Sequence, residues 1–355
     1  MLQRYNAVLK RLYNVNSTFK VQMRLDRIYD LHTAIGRPLD AFQTIHVTGT
    51  NGKGSVCWKT AAALQNEGYN VGLFMSPHIT SFRERVRINS TLVSQEDVVN
   101  GMEKLFQVAE TKGLEMSFFE LTTLFAWQKF AEAEVDYVVL ECGCGARYDA
   151  TNICDPILTC ITSIGFDHTS ILGDTLESVC FHKAGIMKAG VPCIGGSRVP
   201  NDILERYAKL ARAPYIPTKT PSSPAVFRPN AGTTDYDYEN SLTVREMLTH
   251  ARRQGILNLS EASIDAGLRE RPPYRLEHVV APLSNGKSVK IIFDAAHNSD
   301  AFQSLFETLG QHFPNPHGET PNIRVVLGFS SENSVEGCLQ QVTKHVPVSL
   351  LWCRW

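Results

Sequence analysis

Apolar positions along the chain switch between a helical and a strand-like period, and the switches mark out an alternating fold. Residues 1–40 carry Leu9, Leu12 and Tyr13, then Leu25, Ile28, Tyr29 and Leu31, at near-helical spacing, which predicts an N-terminal helical segment. From residue 42 short apolar runs take over. FQTIHV (42–47), VGLFM (71–75), VDYVVLE (135–141), ILTCITSI (157–164) and VPCIGG (191–196) read as strands. Between them a helix is predicted from Lys53 to Glu67, closed by Gly68. Ser94-x-x-Asp97 and Ser117-x-x-Glu120 read as capping boxes that open two more, and Asp174 or Thr175 caps a helix running to about Lys188. This alternation implies an α/β fold with a mostly parallel sheet and helices on both faces. Residues 214–240, rich in Pro, Thr, Ser and Asn, read as loop, 241–268 as helical, and RPPYRLE (271–277) as a break. A new βα pattern begins with VKIIFD (289–294) and continues with IRVVLGF (323–329). The turn chemistry of PLSNGK (282–287) places a domain boundary near 280–286, dividing the chain into 1–284 and 285–355. No internal repeat is visible.

Composition narrows the picture. A chain of 355 residues, 43% apolar, is long enough for one large α/β domain and a smaller one. A net charge of −1 gives no global field for nucleic acid, so any anion must be held locally. The absence of an eighteen-residue apolar run argues against a membrane span. The N-terminus is basic and free of acid up to Asp26; it reads first as an ordinary amphipathic helix and second as an organelle transit peptide. The expected compartment is therefore the cytoplasm, with the mitochondrion as the other option. Nine scattered cysteines, with only a C-x-C at Cys142 and Cys144, offer no zinc spacing and read as free thiols.

The strongest chemical signal lies between a predicted strand and a predicted helix: Thr48-Gly-Thr-Asn-Gly-Lys-Gly-Ser55. A triphosphate needs inward-pointing backbone N–H groups with no Cβ in the way, which Gly49, Gly52 and Gly54 permit around Thr50 and Asn51. The following helix aims its positive end at the phosphates. Lys53 can reach the β and γ phosphates, and Ser55 or Thr50 can help to hold Mg²⁺. The match to the general phosphate-loop spacing is imperfect, because the first glycine would fall at Val47 and Lys53 is followed by Gly54.

This variant loop, followed in order by Ser76-Pro-His78, Arg83-Glu-Arg-Val-Arg-Ile-Asn89, Ser117-Phe-Phe-Glu120, Asp149-Ala-Thr-Asn152, Asp167-His168, Lys183-Ala-Gly-Ile186 and Asp294-Ala-Ala-His-Asn298, resembles the folylpolyglutamate synthase/dihydrofolate synthase group of the Mur ligase superfamily. The likeness runs from about residue 25 to 330. It implies a Mur ligase-like central domain and a smaller, Rossmann-like α/β second domain. The implied reaction is ATP-dependent: a folate or dihydropteroate carboxylate becomes an acyl phosphate, and the amine of L-glutamate displaces phosphate. It implies Ser76, Glu141 and His168 as metal ligands, although Ser76 also suits a plain turn before Pro77. It implies Asn240, Arg275, Asp294 and His297 as ATP contacts. Phe119, Asp149 and Asn152 fall at substrate positions, against the simpler readings of core packing for Phe119 and a turn for Asn152. Glu120 either joins that site or only closes its capping box. Lys183 aligns with a lysine that carries a carbamate in this family; an ordinary helix-surface lysine is the alternative. Lys53, Lys183 and His168 form the implied catalytic set, with small molecules as the only partners and a monomer as the expected state.

Several positions depart from the family pattern. Cys142-Gly-Cys-Gly-Ala-Arg-Tyr-Asp149 stands where G-L-G-G-R-L-D is usual, with Ala146 in place of a glycine and Tyr148 in place of a leucine. His182 occupies a position that is usually Glu. Ser330-Ser-Glu-Asn333 replaces a D-K-D-like stretch, and the chain stops at Trp355, so a shortened second domain is expected. A truncated relative that still binds ATP without turnover is the main competing reading. A Mur-type ligase acting on a cell-wall nucleotide is the lesser one.

Overall fold

The structure is a computed structural model that describes residues 1–15, 24–219, 236–312, 324–329, 335–345 and 351–352. Its centre is an eight-stranded sheet built from β1 (Gln43–Thr48), β2 (Val71–Phe74), β3 (Val86–Ile88), β4 (Thr91–Leu92), β5 (Tyr137–Glu141), β6 (Pro156–Ser163), β7 (Cys193–Arg198) and β8 (Tyr215–Pro217), in the order β4-β3-β2-β5-β1-β6-β7-β8. Pairing is parallel from β2 to β8 and antiparallel only at β2–β3 and β3–β4. The helices between them are α1 (Leu2–Val15), α2 (Asp26–Ala34), α3 (Lys53–Asn66), α4 (Gln95–Lys112), α5 (Phe118–Glu132), α6 (Thr169–Leu172), α7 (Leu176–Lys183), α8 (Asn201–Ala211), α9 (Tyr236–Arg253) and α10 (Glu261–Arg269). Beyond them come a hairpin of β9 (Glu277–Pro282) and β10 (Ser288–Phe293), then α11 (Ser299–His312), α12 (Val335–His345) and a short parallel pair, β11 (Val326–Leu327) with β12 (Leu351–Trp352).

The central strands are apolar on both faces because both faces are covered. On β5, Val138 and Leu140 join one core with Phe125, Trp127 and Phe130 of α5, while Val139 joins the opposite core with Val56, Ala63 and Leu64 of α3. The period of two along the strand sends neighbouring side chains to opposite layers. Both predicted capping boxes form: Ser94 accepts from the Asp97 N–H and Ser117 from the Glu120 N–H, with each acid returning the bond.

Three readings shift. The helix expected to reach Lys188 ends at Lys183, where a short 3-10 turn (Ala184–Ile186) takes over. The stretch 214–240 is not all loop: it contributes the edge strand β8 and the start of α9, and the helical stretch after it is two helices broken at Gly255, whose φ of 69° suits glycine. The strand 289–294 opens the expected βα pattern, with α11 and then β11 after it, but it also pairs antiparallel with β9, and position 284/285 lies in the turn between the two strands. Ser330–Asn333 lies outside the described residues. Among the described residues no helix is long and apolar enough to cross a membrane.

Candidate active site

The sheet, the turn after β1 and the segment around 294–304 enclose one cavity of about 910 Å³. At its floor the glycine turn leaves β1 and runs into α3. Gly49 (φ 153°) and Gly52 (φ 83°) hold backbone angles that L side chains avoid. A Cβ on Gly49 would collide with the Thr162 hydroxyl, and one on Gly52 with the Asn240 amide. The turn is fastened to the end of β6: Thr50 N–H donates to Ser163 O (2.9 Å), Asn51 N–H to Ser163 Oγ (2.9 Å), and the Thr50 hydroxyl exchanges two bonds with Gly165 (3.0 Å each). Lys53 Nζ folds back onto the Gly49 and Thr50 carbonyls, both at 3.1 Å. Ser55, buried in the first turn of α3, and Gly54 complete the lining.

Glu141, at the end of β5, is 3% exposed and lies beside Gly54, where a Cβ would sit 3.7 Å from its carboxylate. Its Oε2 accepts the Ser76 N–H at 2.9 Å. Burial pushes its carboxyl above the ordinary range, against the pull of Lys53. Among the described residues no three His, Cys, Asp or Glu side chains converge into a ready-made metal cluster. A buried carboxylate that lines the cavity and holds the Ser76 backbone nevertheless suits a hard divalent cation that keeps several waters. His168, at φ 50°, lies on the loop after β6 that lines the same cavity, next to Asp167.

Lys183 is not a surface residue. It is 3% exposed, and its Nζ donates to Gly49 O at 2.7 Å. Among the described residues no carboxylate pairs with it, and burial, reinforced by Lys53, lowers its pKa to about 7. Asn240, Arg275, Asp294 and His297 all line the cavity. Asp294 also knots the base of the hairpin: it accepts from the Tyr236 hydroxyl (2.6 Å) and from the N–H groups of Leu276 (2.9 Å) and Ala296 (2.8 Å). His297 Nε2 lies 3.7 Å from Asp167.

Phe119, also on the cavity wall, packs over Gly143, where a Cβ would meet its ring at 2.6 Å, and tilts against Phe74. Asp149 lines the wall while its oxygens organise the loop, accepting from Gly143 N–H, Cys144 N–H, Thr151 N–H and the Thr151 hydroxyl. Asn152 stands outside the cavity lining; its amide donates to the Arg147 and Gly185 carbonyls (3.1 Å each), and its buried Oδ1 has no partner among the described residues. Glu120 does more than cap α5, because Arg27 pairs with it at 3.2 Å.

Sequence reasoning passed over two residues. Arg85 is 7% exposed, lines the cavity, and donates Nε–H to His78 Nδ1 at 2.8 Å. Burial and Arg85 itself hold His78 at about 4, so it faces the guanidinium as a neutral acceptor. Among the described residues no ion pair is seen at Arg85, although Glu141 and Glu84 stand near enough to favour its charge. Asn298 exchanges amide hydrogen bonds with Asn51 (3.0 and 3.3 Å) and donates to Asp167 (3.0 Å), tying the C-terminal segment to the phosphate turn. Both lie in segments that match the family, which was the available signal.

A glycine turn between a parallel strand and a helix, a buried strand-end carboxylate and a buried lysine behind the turn define a nucleotide-dependent ligase of the Mur type. The Mur ligase middle domain matches residues 47–195. The dihydrofolate synthase/folylpolyglutamate synthase of Bacillus subtilis is 33% identical over 84% of this chain and 74% of that protein. Among solved structures, E. coli FolC in complex with DHPP and ADP superposes with a TM-score of 0.81 at 27% identity, covering 97% of this chain and 82% of that one. A bifunctional folylpolyglutamate synthase/dihydrofolate synthase with Mn, AMPPNP and L-glutamate bound gives 0.78 at 28%, covering 98% and 82%. The chain belongs to the folylpolyglutamate synthase/dihydrofolate synthase family.

Proposed function

We propose that this chain uses ATP to activate a folate-type carboxylate and joins it to L-glutamate, with dihydropteroate or a reduced folate as acceptor. A carboxylate oxygen attacks the γ-phosphorus, ADP leaves, the glutamate amine attacks the acyl carbon, and phosphate departs as the amide forms. In this reading the glycine turn donates N–H groups to the triphosphate, and Lys53 leaves its own turn carbonyls for the phosphate oxygens. Ser76 and Glu141 would hold one divalent ion and His168 a second, and these ions would offset charge at the γ-phosphate. Arg85, buried and with no ion pair among the described residues, holds the reacting carboxylate in place. Asn240, Arg275, Asp294 and His297 close over the nucleotide from the side of the hairpin. Phe119 and Asp149 shape the acceptor end, and Asn152 supports their loop.

Lys183 carries a carbamate in this proposal. Its pKa of about 7 leaves a large share of the amine neutral near that pH, the form that adds CO₂ and releases a proton. The product is an anion beside Lys53. We also assign the nucleotide mainly to residues 1–284, with Asp294 and His297 reaching it from 285–355, the part that takes glutamate, and expect a monomeric protein in the cytoplasm.

One observation carries the reading: a glycine phosphate turn, a buried Glu141 and a buried Arg85 share a single cavity. The test is phosphate release from ATP with dihydropteroate or tetrahydrofolate as acceptor. Release that needs both glutamate and a pterin acceptor is expected; release indifferent to either sinks the proposal.

A further inference from the structure

The loop 142–149 docks on the last turn of α7 through several independent contacts. Arg147 N–H donates to His182 O (2.9 Å), Arg147 Nε–H donates to Phe181 O (3.0 Å), and the Arg147 guanidinium lies 4.1 Å above the Phe181 ring. Tyr148 is the next residue along the loop. Its ring meets the imidazole of His182 edge-to-face, with centroids 6.1 Å apart and planes at 64°. These are two of the positions at which the sequence departs from the family pattern, and they touch each other.

Tyr148 lines the cavity yet is 41% exposed, so a large aromatic face is open where a ligand passes. An open ring on a cavity wall offers a flat apolar surface on which a planar ligand can stack. The ring is nevertheless held, because His182 buttresses it and Arg147 pins the backbone beside it. Phe119 presents a second aromatic surface at the other end of the same loop, over Gly143. The phosphate turn, Asn240 and Arg275 line the same cavity, and since the ligase reading gives them to the nucleotide, it leaves the aromatic lining to the acceptor.

We propose that Tyr148, braced by His182, is a specificity-determining residue that stacks on the planar aromatic portion of the acceptor. The inference rests on the ligase reading above and deepens it. An aliphatic side chain at this position offers bulk but no flat π-face, so flat acceptors gain most from the tyrosine. His182 is neutral near pH 7, since burial, Arg147 and Lys183 all lower its pKa, and so it packs as a ring instead of repelling Arg147. His182 immediately precedes Lys183, so the brace also fixes the helix end that reaches the phosphate turn.

The experiment uses the full chain and measures steady-state kinetics with dihydropteroate as the varied substrate, then with ATP varied. Tyr148→Leu is expected to raise the acceptor KM about tenfold while the KM for ATP stays within about twofold. Tyr148→Phe, which keeps the ring, is expected to bring the acceptor KM back to within about twofold of wild type. His182→Glu alone should weaken acceptor binding less than Tyr148→Leu, and the double variant should fall short of the sum, as touching residues do. An acceptor KM unchanged in Tyr148→Leu, or an equal rise in the KM for ATP, overturns the inference while leaving the ligase reading intact. Wild-type protein with no acceptor-dependent turnover overturns both.

Discussion

At the scale of single residues, two lysines converge on one carbonyl. Lys53 and Lys183 both donate to Gly49 O, at 3.1 and 2.7 Å, and like charges so placed favour loss of one proton. Lys53 is the exchangeable member, because phosphate oxygens can take over from its turn carbonyls. Lys53→Ala is expected to lower turnover by about 10²- to 10³-fold, the usual cost of removing one preorganised charge-stabilising donor; ATP-dependent phosphate release checks it, and wild-type rates would contradict the assignment. Lys183 predicts a pH dependence. Its folded pKa lies below its ordinary value, so the neutral amine is scarce below pH 7 and increases as pH rises through about 7. With ¹³C-bicarbonate, a carbamate resonance should therefore grow across that interval and vanish in Lys183→Ala; a signal that survives the substitution belongs to another amine. The glycine turn was legible because its chemistry is contiguous in sequence. The Arg85–His78 pair was not, since a neutral histidine facing a guanidinium follows from burial and not from spacing. Nor was the Asn51–Asn298 exchange, whose partners stand 247 positions apart.

Elements behaved as local signals should. The capping boxes at Ser94 and Ser117 were readable because a hydroxyl and an acid three positions later satisfy each other's backbone whatever the tertiary fold. Ser117→Ala is expected to cost about 1 kcal/mol in chemical denaturation, with the slope unchanged; no loss would mean that Arg27–Glu120 alone holds the start of α5. Misreadings came where tertiary pairing decides. β8 lies in a Pro-rich stretch and exists because β7 offers it a parallel edge. The run 289–294 was readable as a strand leading into a helix, and α11 follows it; its antiparallel pairing was not, because β9 carries no signal that names its partner.

For the whole molecule, a buried ionic knot joins the helix after the phosphate turn to α9, α10 and the segment that leads into the hairpin. Lys59 of α3 is fully buried, pairs with Asp237 of α9 at 3.1 Å and donates to Leu268 O at 2.8 Å, while Arg271 reaches the same aspartate at 3.2 Å. Lys59→Met leaves Asp237 less compensated and is expected to cost about 3 kcal/mol, read by denaturant melting; a cost under about 1 kcal/mol would show that Arg271 suffices. Beyond the knot stands the β9–β10 ribbon, a two-stranded ladder with Val280, Leu283 and Phe293 open to water. So small a ladder is marginal by itself. Its amides should exchange for deuterium well before those of β1, β5 and β6. Arg275 lies just before the ribbon and Asp294 just after it, so under the proposed nucleotide assignment its breathing would move both ends of that rim together. Saturating ATP should then slow deuterium uptake across 277–293, including at the turn, which lies outside the cavity; uptake blind to ATP would mean that the rim is rigid without help. The ribbon would thus act as a clasp, loose in the empty protein and drawn taut from its two fastenings when the nucleotide arrives.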